Sequence, residues 1–236
     1  MEKEDNINAI WGILSDAHGN YLGLQNCIER MEELSVSEFY FLGDAVGYLP
    51  MADKVLRILK NKKFSCVKGN HEAMLLNMLS FDINKDKIYM LDFTRKTMNA
   101  DNINYITSWP EIIRKIDRNS ETIMVHGSPD NPWKDYIYPD TDLGPILRDK
   151  KNNIIFLGQT HHAFKKKYDS NLVINVGSCG MPRDIPGQAS CAIYDPKISS
   201  IEILRVPFDP EEVIFESSKI SQIPVEVKRV LLGNRE

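Results

Sequence analysis

Asp16 and His18, in the stretch Ser15-Asp16-Ala17-His18-Gly19-Asn20, place a carboxylate and an imidazole two positions apart at the end of an apolar run from Ile7 to Leu14. A hard oxygen donor and an imidazole on one loop suit a divalent cation. Taken alone, the pair reads equally well as Asp16 capping a helix that begins near Asn20, with His18 packed beside it. The chain has four further histidines, His71, His126, His161 and His162, in Gly69-Asn70-His71-Glu72, His126-Gly127 and Gly158-Gln159-Thr160-His161-His162, and Gly43-Asp44 adds another carboxylate. Each histidine falls at the end of a predicted strand and none on a helix face, a placement that metal ligation explains directly.

The elements that must position these residues follow from hydrophobic spacing. Ile10, Trp11, Ile13 and Leu14 read as a buried strand, and Leu22, Leu24, Cys27, Ile28, Met31 and Leu34 as one face of a helix over 20–34. A second strand over 38–42 ends at Gly43-Asp44, with a helix over 51–59 after it; a third over 64–67 ends at Gly69-Asn70-His71-Glu72 and leads into a helix over 73–79. In an open α/β sheet the carboxyl ends of the strands gather at one edge, where ligands bind. Asp44 or Asn70 alone would be an ordinary turn or cap residue, but three such coincidences at one edge argue for a site. Residues 84–107 are polar and helical in pattern and read as an inserted helical pair or lid. Strands over 112–116 and 122–125 follow, then an irregular loop over 130–142, a short helix near 143–148 and a strand over 154–157. Short β runs at 164–168, 172–176, 190–194 and 201–206 look like a second sheet, and 210–219 and 225–232 like closing helices.

Composition narrows the class. A chain of 236 residues, 42% hydrophobic and 26% charged, is long enough for one large domain, with no apolar stretch of transmembrane length and no secretory pattern at Met1-Glu2-Lys3-Glu4-Asp5. A cytoplasmic protein with no membrane association is expected. Cys27, Cys66, Cys179 and Cys191 lack metal-knuckle or disulfide-framework spacing and read as reduced, buried thiols. A net charge of −4 argues against a broad nucleic-acid surface.

In order and approximate spacing, Asp16-x-His18, Gly43-Asp44, Gly69-Asn70-His71-Glu72, His126-Gly127 and Gly158-x-Thr160-His161 resemble the calcineurin-like metallophosphoesterase superfamily. Gly43-Asp44-Ala45-Val46-Gly47-Tyr48, His126-Gly127-Ser128-Pro129 and Asn175-Val176-Gly177-Ser178 through Met181-Pro182-Arg183-Asp184 are most similar to its small single-domain prokaryotic, phosphodiesterase-like branch. The resemblance implies an α/β fold, a four-layer α/β/β/α sandwich of two mixed sheets flanked by helices. It also implies one domain over 1–236 with a helical insertion at about 84–107 and closing helices at about 210–232. By the same resemblance Asp16, His18, Asp44 and His161 would hold one metal, and Asp44 would bridge to a second held by Asn70 and His126. His71 would stay off the metals and stabilise or protonate the leaving alkoxide. Two divalent ions about 3.5 to 4 Å apart clamp a phosphoryl group and lower the pKa of a water between them. Mixed nitrogen and oxygen ligands suit manganese first, with iron, zinc or nickel as alternatives.

One departure matters: Gln159 stands where the family commonly has His, so the second ion would receive an amide oxygen or nothing. The adjacent His162 would point away in an extended chain. Asn70 and Arg183 are candidates for phosphate contact, although Arg183 could instead pair with Asp184 in a surface turn. Glu72 would either orient His71 or act only as an acid in the first helical turn. Trp133, Tyr136 and Tyr138 would wall the pocket or cover the sheet edge, and Lys165, Lys166 and Lys167 read as a solvated edge. The expected function is a metal-dependent phosphoesterase acting on a small phosphoester. Gly47-Tyr48 replace the Asp and Arg usual in the protein-phosphatase branch. A dinucleoside polyphosphate hydrolase, a protein phosphatase and a catalytically weakened scaffold or binding protein are the alternatives.

Overall fold

The structure, a computed structural model, describes residues 9–117, 120–148 and 150–233; the expected start of the first apolar run at Ile7, the acidic N-terminus and the ends of the 1–236 span lie outside them. The first half alternates strand and helix: β1 Trp11–Leu14, α1 Tyr21–Glu33, β2 Glu38–Phe41, α2 Ala52–Asn61, β3 Ser65–Cys66 and α3 Asn70–Leu75. A 3₁₀ turn at Ile83–Lys85 precedes α4 Asp86–Tyr89, α5 Leu91–Thr97 and α6 Ala100–Thr107. The remainder is β4 Ile112–Asp117, β5 Ser120–Val125, α7 Gly144–Leu147, β6 Asn153–Leu157, β7 Phe164–Tyr168, β8 Asn171–Asn175, β9 Gln188–Asp195, β10 Ser200–Pro207, α8 Pro210–Ser218 and α9 Val225–Leu232. None of the described helices is long and apolar enough to cross a membrane.

Two mixed five-stranded sheets result, in the orders β10-β9-β1-β2-β3 and β4-β5-β6-β8-β7. The late β runs do not form one separate sheet as their local pattern suggests. β7 and β8 join β5 and β6, whereas β9 pairs antiparallel with β1 through Trp11 and Tyr194, Gly12 and Ile193, and Ile13 and Ala192. Local alternation identifies a strand but not its partner.

Side-chain parity builds the layers. Ile13, Tyr40, Leu42 and Val67 from one sheet meet Met124, Phe156, Ile174 and Val176 from the other. On the outer face of the first sheet, Leu14 and Phe41 pack with Leu24, Cys27, Ile28 and Met31 of α1 and Val55, Leu56 and Leu59 of α2. The second sheet is covered more thinly, its Ile123, Val125, Ile155, Leu157 and Val173 lying under Leu147 of α7 and Ile137 and Leu143. β1, β2 and β3 run parallel to one another, as do β5, β6 and β8, so two sets of carboxyl ends are delivered to the same edge of the sandwich.

The helix after β3 begins earlier than its apolar run suggests. Asn70 and His71 lie in the first turn of α3, so His71 is on a helix and not at a strand end. Asn20, not Asp16, caps α1, its side-chain oxygen accepting from Gly23 N at 3.0 Å.

Candidate metal centre

The loops that leave the strands are laced together by backbone bonds. Asp16 N donates to Gly43 O and His18 N to Asp44 O, both at 2.9 Å; Cys179 N donates to Ser15 O at 2.9 Å and Gly158 N to His126 O at 3.0 Å. Asp16, His18, Asp44, Gln159 and His161 all have positive φ, between 47° and 65°, a left-handed backbone that costs non-glycine residues energy and gathers at functional sites. Gly69 permits a close approach: a Cβ there would lie 2.1 Å from Asp44 Oδ1.

These loops bring Asp16, His18, Asp44, His126 and His161 together, all buried. Asp16 Oδ1 lies 3.2 Å from His161 Nε2, 3.7 Å from His18 Nε2 and 3.9 Å from His126 Nε2. Asp44 Oδ2 lies 3.3 Å from His126 Nε2 and 3.6 Å from His18 Nε2. Asn70 Oδ1 is 2.9 Å from His126 Nε2. His18 Nε2 and His161 Nε2 approach within 3.1 Å of each other. Three of the rings are fixed from behind: His18 Nδ1 lies 3.0 Å from Val46 O, His126 Nδ1 2.6 Å from Leu42 O and His161 Nδ1 2.6 Å from Met181 O. A carbonyl at Nδ1 selects the tautomer that turns the Nε2 lone pair inward, the usual support of a metal-bound imidazole.

The donor set fits divalent cations. Among the described residues Asp16 Oδ1 and Gln159 Oε1 are buried without a hydrogen-bond partner, and such orphaned acceptors are costly unless something electropositive meets them. Asp16, His18 and His161 form one group able to hold an ion; Asp16, Asp44 and His126 form another. Burial opposes ionisation of Asp16, yet His161 and His126 hold its carboxyl well below the ordinary value; for Asp44, His126 and His71 outweigh burial in the same sense. Burial would lower His126, but Asp44 and Asp16 push it up to about 10. Burial and the Arg183 charge bring His161 down to about 4. Two ionised carboxylates thus draw a proton onto one imidazole, a role that divalent ions fill with more charge.

His71 is also near, its Nε2 4.0 Å from Asp44 Oδ2, and geometrically it could join Asp44 and His18 around an ion. It differs from the other three because, among the described residues, its buried Nδ1 has no partner to fix a tautomer. Glu72 does not orient it. The Glu72 carboxylate instead accepts from the backbone N–H groups of Asp44, Ala45 and Gly69 at 2.8 Å and of Val46 at 3.3 Å, tying α3 to the Asp44 loop.

Around this centre a cavity of about 90 Å³ is lined by Tyr48, Tyr89, Tyr136, Gln159 and Arg183, with His18, His71 and His161 but not His126. Arg183 is not paired with its neighbour: Asp184 binds Arg205 Nη2 at 2.5 Å and Nη1 at 2.9 Å, and Arg183 Nη2 donates to Tyr48 Oη at 3.3 Å. Of the three aromatics after His126 only Tyr136 reaches the cavity. Trp133 Nε1 donates to Lys68 O at 3.2 Å, and Tyr138 packs on His162, whose Nδ1 lies 2.7 Å from Thr160 O, away from the centre. Lys165 and Lys166 direct their amines to backbone carbonyls of Ile201, Pro139 and Thr141. Tyr89 was not singled out by the sequence, because nothing in a polar helical stretch marks which ring turns inward.

Residues 10–198 match the calcineurin-like phosphoesterase superfamily domain. An uncharacterised protein of Methanocaldococcus jannaschii is 28% identical, the alignment covering 86% of this chain and 89% of that one. Among solved structures, a metallophosphoesterase from Sphaerobacter thermophilus is 24% identical with a TM-score of 0.76, over 95% of this chain and 98% of that one. A hypothetical protein from Pyrococcus horikoshii OT3 is 21% identical with a TM-score of 0.83, over 94% and 97%. The two solved structures share the fold of this chain, and with a domain match over most of its length the chain belongs to the calcineurin-like phosphoesterase superfamily.

Proposed function

We propose that the chain is a divalent-metal-dependent phosphoesterase acting on small phosphomonoesters or phosphodiesters in the cytoplasm. In this reading Asp16, His18, Asp44 and His161 would hold one ion, Asp44, Asn70 and His126 would hold a second, and Gln159 would offer its amide oxygen to the second. The observation that carries it is the set of three buried imidazoles, each backed by a carbonyl at Nδ1, whose Nε2 atoms converge on two buried carboxylates. When bound, manganese, or iron, zinc or nickel in its place, polarises phosphoryl oxygens and acidifies a hydrolytic water.

The chain's own residues supply the rest. Asn70, at the start of α3, lines the cavity with its Oδ1 2.9 Å from His126 Nε2, a position from which it would also meet the phosphoryl group. Arg183, steadied by Tyr48, grips phosphoryl oxygens. Burial holds His71 at about 3 against the pull of Asp44, so its ring is neutral at pH 7 and serves the departing oxygen as a hydrogen-bond donor. A cavity of about 90 Å³ is small beside the roughly 300–1,000 Å³ of whole-ligand pockets, so it takes the phosphoryl group while the organic part stays near Tyr136, which is 49% exposed. Four free buried thiols suit a reducing compartment.

The test is product profiling of the manganese-loaded protein on model monoesters, diesters and dinucleoside polyphosphates, with His71→Ala beside it. Hydrolysis that falls about 100-fold or more in His71→Ala is expected. No hydrolysis of any phosphoester, with the variant indistinguishable, would replace this reading with the non-catalytic scaffold.

A further inference from the structure

What sets the plane of His71, the fourth ring of the centre, when no hydrogen bond from the described residues does? Among those residues its buried Nδ1 has no partner. Its neighbours are rings. The His71 centroid lies 4.9 Å from Tyr48 at an interplanar angle of 37°, 4.8 Å from Tyr89 at 51° and 4.7 Å from His18 at 71°. Tyr48 and Tyr89 meet edge to face at 5.4 Å, with Phe81 6.0 Å behind Tyr89.

The two tyrosines come from different parts of the chain. Tyr48 lies in the loop after β2, with φ 61°, and Tyr89 ends α4 just before the left-handed Met90, φ 55°. Tyr48 N donates to Tyr89 O at 2.7 Å, clipping the inserted helices to the Asp44 loop, and Asp86 accepts from Leu91 N and Asp92 N to close the α4–α5 turn. Gly47 removes the alternative. Its φ is 88°, and a Cβ there would lie 2.2 Å from His71 Nδ1, so the adjacent backbone is pressed against the ring and position 47 offers it no side-chain acceptor.

We infer that Tyr89, carried by the helical insertion, together with Tyr48 is a positioning residue that fixes His71 by ring packing, so that the insertion governs how the leaving oxygen is met. The inference rests on the phosphoesterase reading for its kinetic consequence. Packing can hold a ring in place of a hydrogen bond because offset and edge-to-face aromatic pairs have preferred geometries. Removing Tyr89 lets the imidazole rotate, and a misaligned donor costs most where the leaving group most needs it.

The experiment uses the full chain with manganese and a series of aryl phosphoesters running from p-nitrophenol to phenol as leaving group. Tyr89→Leu is expected to lower kcat about 10- to 100-fold on the phenyl ester and several-fold less on the p-nitrophenyl ester, whose leaving group needs the donor least, and Tyr89→Phe to restore both. Gly47→Ala should reproduce the leaving-group dependence, and Tyr89→Leu should add nothing in a His71→Ala background. A Tyr89→Leu loss that is uniform across the series, or that persists without His71, overturns the inference. Histidine-ring NMR decides independently of turnover. The His71 ring protons should show cross-relaxation to the Tyr48 ring that weakens in Tyr89→Leu and survives in Tyr89→Phe; unchanged His71–Tyr48 cross-relaxation in Tyr89→Leu overturns the inference even if the protein hydrolyses nothing, whereas inactivity of the wild type alone counts only against the phosphoesterase reading.

Discussion

Glu72→Gln isolates the bond set that holds the Asp44 loop. Glu72 Oε2 accepts from Asp44 N and Gly69 N, both at 2.8 Å, and Oε1 from Ala45 N at 2.8 Å and Val46 N at 3.3 Å. Glutamine keeps the shape but supplies a single acceptor oxygen, so one pair of amides must face an NH₂ donor. A buried N–H without a partner costs about 1–3 kcal/mol, which puts the gross loss for two at about 2–6 kcal/mol. Against this, burial and the Asp44 charge raise the Glu72 carboxyl to about 7, so relieving a buried charge returns part of the loss. The net expectation is a destabilisation of about 2–4 kcal/mol in the metal-free protein, read as a lower urea midpoint at unchanged slope. The same loop carries Asp44 and the Val46 carbonyl behind His18, so manganese affinity should fall about 10- to 100-fold. Glu72→Gln within about 0.5 kcal/mol of wild type, with unchanged manganese affinity, would refute this account of Glu72.

Three further predictions follow from neighbouring contacts. Arg183→Ala should raise KM and weaken inhibition by inorganic phosphate about 10- to 100-fold while leaving manganese affinity within about twofold, with Arg183→Lys between because it lacks the fork; parallel loss of metal would contradict the assignment. Gln159→His should tighten the second, weaker manganese isotherm in calorimetry by replacing an unpartnered amide oxygen with an imidazole; an unchanged second isotherm would place Gln159 outside the ligand set. Burial raises the Asp184 carboxyl, but hydrogen bonds from Arg205 and Ala163 N and the Arg205 charge hold it below its ordinary value. Its contribution is therefore complete above the unfolded pKa of about 3.9 and is lost as pH falls through the lower folded value. Asp184→Asn should cost about 1 kcal/mol at pH 7, screened because the pair is partly exposed, and should flatten the acid limb of a urea-midpoint profile; an identical limb would refute the linkage.

The convergence of these side chains could be read from the chain because the candidate ligands sit in short local signals. Apolar runs ending in Ser15-Asp16-Ala17-His18, Gly43-Asp44, His126-Gly127 and Gly158-Gln159-Thr160-His161 announce strand ends, and parallel strands carry such ends to one edge. What sequence could not supply was long-range pairing. β9 has the same alternation as β8 but bonds to β1 in the other sheet, a choice set by packing and not by propensity. Asp184 stands beside Arg183 and binds Arg205, and Glu72 stands beside His71 and binds the amides of a loop about 27 residues earlier. The start of α3 was misplaced because its first turn, Asn70, His71 and Glu72, is polar for the sake of the site and lacks the apolar spacing that marks helices. Tyr89 was silent for the opposite reason: aromatic spacing within a short polar helix does not say which ring faces inward.

In the proposed centre Asp16, His18, Asp44, Asn70, His126 and His161 would enclose divalent cations. Crystals grown with manganese and measured above and below its absorption edge test it most directly. Two anomalous peaks about 3.5 to 4 Å apart are predicted, one within bonding distance of Asp16, His18 and His161, the other of Asn70 and His126, with Asp44 touching both. No peak among these side chains at saturating manganese, or peaks held by other residues, would contradict it.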